Sequence, residues 1–119
     1  EASKGWRVKI GGRSHPELPV LELSNCAVAT SGDLEQNLEI GGTRYSHLLN
    51  PKTGVGLEGS AQVTVVAPTG MIADSIASTC LVLGIHKANM FLAQTSVSKM
   101  YYLKESNSSI KVHQYLPPP

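Results

Sequence analysis

Between Gly59 and His86 one formally charged side chain, Asp74, interrupts a run rich in Ala, Ser, Ile, Val and Leu. A segment so poor in charge reads as a helix that is apolar nearly all round, and therefore buried. A carboxylate in such a place is costly unless a cation, a metal or strong donors meet it. Ser78 follows four residues later, on the same helical face. Carboxylate and hydroxyl at this spacing offer two hard oxygens, a donor set that suits Mg2+ better than zinc. Two ligands do not complete a site, so phosphate oxygens, waters or another segment would supply the rest. The competing structural reading places Asp74 near a helix start, where its charge complements the macrodipole and bonds free amides.

The stretch RYSHLLNPKTG, residues 44–54, holds the second candidate, His47. By the period of two, Thr43, Tyr45, His47 and Leu49 share one strand face, and the strand runs into a loop marked by Pro51 and Gly54. Imidazole titrates near neutrality, as a general base requires. The alternative is a hydrogen-bonded core or rim ring. His15, His86 and His113 lack such a setting and read as surface or loop histidines. A third stretch, ATSGD at 29–33, ends a strand in small polar residues. It reads as a capped turn opened by Ser31 or Asp33, or as a cradle of backbone amides for an anion. No P-loop, GxGxxG, CxxC or GxSxG pattern is present.

These residues need elements to position them. WRVKI (6–10) alternates as a strand, and VLELSNCAVATSG (20–32) reads as one or two strands closed by a turn. Gly41-Gly42 between two extended runs is a two-residue hairpin signal. SAQVTVVAP (60–68) is a strand with Val63, Val65 and Ala67 on one side. After Pro68 the period changes. Ile72, Ile76, Cys80 and Leu83 recur at helical spacing, with Gly84 at the C-terminal cap. A second short helix follows over HKANMFLAQ (86–94), then two closing strands, KMYYL and IKVHQYL. Strands, two helices and strands again predict an α+β fold, a mainly antiparallel sheet with two helices packed on it. Neither an internal repeat nor a domain linker stands out.

The bulk numbers narrow the function classes. The 119 residues suit a single domain, and 41% hydrophobic residues suffice for a core of aliphatic and small side chains. A net charge of +1 with no Lys/Arg run excludes the electrostatic footprint of a nucleic-acid binder. No apolar run approaches the roughly 20 residues of a membrane span. The opening EASKGWRVKI has no initiator methionine or signal pattern, which reads as a processed or excised chain. Cys26 and Cys80 have no metal-ligand spacing and are expected as two buried free thiols.

Three ordered blocks, AVATSGDLEQ (27–36), RYSHLLNPKTG (44–54) and VTVVAPTGMIADSIASTCLVLG (63–84), resemble the ApbE family of flavin transferases, formerly described as thiamine-biosynthesis lipoproteins. The opening GWRVKI is similar to the strand that precedes these blocks there. The resemblance covers nearly the whole chain and implies the C-terminal portion of a longer ApbE-like domain. It implies transfer of the FMN half of FAD to a Thr or Ser hydroxyl of an acceptor flavoprotein, with release of AMP and with Mg2+ at the pyrophosphate. Asp74 then matches the metal-binding aspartate, and Ser78 a threonine four residues later. His47 matches the Ser-His motif and the candidate base, while Leu49 falls at an apolar position near the flavin nucleotide. Departures are Asn50, where aspartate is common, and Gly56, where proline is common. The alternatives are a non-catalytic FAD-binding protein, an FAD pyrophosphatase, or an inactive fragment that needs its N-terminal half. The resemblance also implies a periplasmic lipoprotein anchored to the inner membrane.

Overall fold

The run VTVV organises the molecule, because its residues are buried on both faces of a strand. The computed structural model describes residues 5–11, 16–32, 38–58, 61–106 and 109–117. Within them the chain forms β1 (Trp6–Lys9), β2 (Val20–Leu23), β3 (Ala27–Gly32), β4 (Leu38–Ile40), β5 (Thr43–Leu49), β6 (Gly56–Glu58) and β7 (Ala61–Ala67). Two helices follow, α1 (Gly70–Leu83) and α2 (Ile85–Leu92), then β8 (Lys99–Ser106) and β9 (Ser109–Tyr115). The fold is α+β. The strands make three antiparallel sheets, ordered β1-β2, β3-β7-β8-β9 and β4-β5-β6.

The four-stranded sheet carries a core on each side. Val63, Val65, Ala67, Met100 and Tyr102 face α1 and α2, where they meet Ala73, Ala77, Cys80, Leu81, Ala88 and Leu92. Val66, Tyr101 and Leu103 face the other way and pack against Ile10, Leu18 and Leu21 from the β1–β2 region. Sequence alternation anticipates the first face only. The second is legible as a continuous apolar run, the mark of a strand covered on both sides. Thr64 is the one buried polar side chain among the described residues, and its hydroxyl lies 2.9 Å from that of Thr30 on β3. The pair satisfies a group that would otherwise be costly to bury.

Helix α1 departs from expectation in which side it buries. Ala73, Ala77, Cys80 and Leu81 are buried, Ile72 and Ile76 pack at the margin, and Leu83 is exposed. A stripe of small residues lets the helix axis lie close to the sheet. Met71 and Asp74 point to solvent, so the helix is not buried all round. Scarcity of charge marked an exposed face of Ser, Thr and Met, not a buried one. Gly84 closes α1 by donating its N–H to the Cys80 carbonyl, as its position predicts. Cys80 is buried and Cys26 exposed, both as free thiols; of the two expected buried thiols only Cys80 is one. Cys26 sits at the exposed turn between β2 and β3, outside both cores.

Candidate functional site

Thr69 opens α1. Its side-chain oxygen accepts from the Ile72 amide at 3.3 Å, and its carbonyl accepts from the Ala73 amide at 3.0 Å. The first turn contains no acidic residue, so the capping role considered for Asp74 belongs to Thr69. Asp74 stands one turn into the helix and is exposed. Its carboxylate therefore pays little desolvation, which corrects the expectation of a buried charge that demands a partner.

The hydroxyls of this helix have different fates. Ser75 and Thr79 turn back on the helix, donating to the carbonyls of Met71 and Ser75, each at 2.8 Å. Ser78 instead reaches across to β3, with its Oγ 2.8 Å from that of Ser31. The bond ties the ATSGD stretch to α1 and sets Ser78 one turn from Asp74 at the edge of β3. At that edge Gly32 has φ +146, and a Cβ there would fall 2.4 Å from the Ala61 carbonyl oxygen. Only glycine permits that approach. Ser31 lies within β3 and does not open a turn, and Asp33 lies outside the described residues.

The hairpin predicted at Gly41-Gly42 is present, with φ of +58 and +82 at the two glycines and Ile40 paired to Thr43. It delivers β5 toward α1 and β3, both of which touch it. On the other edge, Tyr45 pairs with Glu58 and Leu49 with Gly56, so four steps along β5 oppose two along β6. This irregularity contains the backbone of His47. It interrupts the alternation from which a common face for Thr43, Tyr45, His47 and Leu49 was inferred, and such bulges re-aim side chains. The described part of His47 is its backbone. Leu49 is 60% exposed.

Beyond Leu49 the loop is held by Asn50. Its Oδ1 accepts from the Lys52 amide at 2.9 Å, and its carbonyl accepts from Gly54 at 2.8 Å. Its own amide donates to the Val55 carbonyl at 2.8 Å. The side-chain oxygen makes an Asx turn, which aspartate could make equally. The departure at Asn50 thus keeps the loop's geometry and removes a charge.

The structure brings the three sequence blocks together: β3 with Ser31, β5 with the His47 backbone and Leu49, and α1 with Asp74 and Ser78. Sequence reading missed the Ser31–Ser78 bond and the bulge, since both depend on non-local pairing. Among the described residues no group of three or more His, Cys, Asp or Glu side chains could hold a metal. Asp74 and Ser78 offer one carboxylate and one hydroxyl, fewer protein ligands than such a group. An exposed carboxylate and one hydroxyl suit a hard ion that keeps much of its water, as Mg2+ does.

The ApbE family matches residues 1–101. The chain belongs to this family. It is 32% identical to the FAD:protein FMN transferase of Escherichia coli K12, over 87% of this chain and 30% of that protein. The protein of the same description from Treponema pallidum is 35% identical over 75% of this chain and 26% of its own length. The apo structure of the flavinyl transferase ApbE from Pseudomonas stutzeri superposes with a TM-score of 0.75 at 26% identity, covering 92% of this chain and 34% of that one. The chain thus spans about a third of the length of the relatives it matches. No helix among the described residues is long and apolar enough to cross a membrane.

Proposed function

We propose that this chain forms the C-terminal portion of an FAD:protein FMN transferase and contributes Asp74, Ser78 and His47 to its site. The observation that carries this reading is the convergence of β3, β5 and α1, the three blocks by which the chain resembles its family. In the proposed reaction the hydroxyl oxygen of an acceptor Thr or Ser attacks the FMN-side phosphorus of FAD. The bond from that phosphorus to the bridging oxygen breaks, AMP departs with that oxygen, and the hydroxyl proton passes to a base. His47 is the candidate base.

Asp74 and Ser78 would hold Mg2+, and a metal there supplies charge neutralisation at the pyrophosphate. Ser31, bonded to Ser78, fixes the hydroxyl's direction. Leu49, largely exposed at the end of β5, offers apolar surface to the flavin nucleotide. The same reading places the full protein in the periplasm as an inner-membrane-anchored lipoprotein with a flavoprotein as partner; both come from the family resemblance.

Nucleotide accounting tests the assignment. The full-length protein carrying this chain, given FAD, Mg2+ and an acceptor peptide, should release AMP in step with covalent FMN on the peptide. AMP with free FMN and no adduct would make it a pyrophosphatase, and tight FAD binding with neither product would make it a binding protein. Either outcome defeats the transferase reading.

A further inference from the structure

At the edge of the four-stranded sheet opposite Ser31, Ile85, His86, Asn89, Lys104, Lys111 and His113 line an open groove of about 400 Å3. We propose that this groove binds a phosphate monoester, at a site separate from the flavin-transfer centre. The two lie at opposite edges of the sheet. Ser31 lies on one edge strand, β3, and Lys111 and His113 lie on the other, β9. Three strand spacings of about 4.8 Å put them on the order of 14 Å apart.

The charge arrangement carries the argument. Lys104 and Lys111 are direct cross-strand partners, and their neighbours on the same face are Tyr102 and His113. Like charges directly opposite on a sheet destabilise it. Among the described residues neither ammonium has a carboxylate partner, and none of the described lining residues is acidic. An uncompensated pair facing an open groove is a place where a bound dianion gains what the bare sheet loses. A phosphate monoester carries close to two negative charges near neutral pH, whereas a carboxylate would match one ammonium.

The rest of the lining suits the ester's organic side. His86 and His113 contribute ring N–H donors and flat faces, Asn89 an amide, and Ile85 an apolar wall where the helix meets the sheet. The size falls within the range of small-molecule sites, about 300–1,000 Å3. The elements are fixed: Ile85 and Ala88 seat α2 on the core beneath the groove, and β8 and β9 pair along their length.

The test is an amide-resolved NMR titration of the full-length protein with inorganic phosphate and with phenyl phosphate, at ionic strength held constant with chloride. Saturable shifts centred on His86, Asn89, Lys104, Lys111 and His113 are expected, with phenyl phosphate the tighter ligand. The double variant Lys104→Gln/Lys111→Gln should lose about tenfold or more in affinity, the loss of at least one charge contact. In phosphate-free buffer it should melt no lower than wild type, because the like-charge pair is gone. Shifts that do not saturate, that chloride reproduces, or that centre on Asp74 and Ser78 would overturn the site. So would unchanged affinity in the double variant, or a drop in its melting temperature without ligand.

Discussion

At Ser78 one hydroxyl proton and two lone pairs are shared between Ser31 and whatever approaches from solvent. If Ser78 donates to Ser31, its lone pairs stay free for a cation held jointly with Asp74. Ser31 is then a positioning residue, and Ser31→Ala should raise the Mg2+ concentration needed for half-maximal stabilisation by about tenfold, the usual scale for a group behind a metal ligand. Ser31→Thr should restore it. Melting curves recorded across a Mg2+ titration read this without turnover. Asp74 was legible as a lone carboxylate four residues before a hydroxyl. Its exposure was not, because composition cannot tell a buried apolar face from a solvent face of Ser and Met. The thiols separate in the same way. Burial pushes the Cys80 thiol from 9.0 up to about 11, while Cys26 is exposed. A thiol reagent at pH 8 should modify one cysteine of the native chain, Cys26, and reach Cys80 only on unfolding. Because the fold disfavours the Cys80 thiolate, stability present below pH 9 should fall as pH rises toward 11. Burial raises the Tyr101 hydroxyl as well, so the comparison is with Cys80→Ala, in which the thiol's share of that loss disappears.

At the scale of elements, local chemistry was readable and pairing was not. The hairpin at Gly41-Gly42, the start of α1 after Pro68 and its end at Gly84 are all written in adjacent residues. The pairing of β3 with β7, the sheet's second core under Ile10, Leu18 and Leu21, and the bulge in β5 depend on residues far apart in the chain. Two substitutions test how these elements hold the site. Gly32→Ala would drive a Cβ against the Ala61 carbonyl where β3 meets β7. It should cost well over ~1 kcal/mol in chemical denaturation, beyond what a permissive Gly→Ala change gains. Ala77→Leu would lift α1 off the sheet, since Ala77 is fully buried in the stripe facing Val63 and Val65. Overpacking of that kind costs about 1–3 kcal/mol. On the proposed reading it should also weaken Mg2+ binding, because the helix that carries Asp74 and Ser78 would move relative to Ser31.

For the whole molecule, a chain about a third as long as its relatives holds three converging elements with a carboxylate, a hydroxyl pair and an exposed leucine. On the proposed reading these elements serve transfer of a flavin nucleotide, and Asp74 is indispensable to it. Intact-mass analysis of an acceptor flavoprotein domain tests this most directly, after incubation with FAD, Mg2+ and the full-length protein carrying either the wild-type chain or Asp74→Ala. A mass gain of one FMN moiety per acceptor is expected with wild type, and little or none with Asp74→Ala at equal folded concentration. An unmodified acceptor with wild type, or an equal gain with Asp74→Ala, would contradict it.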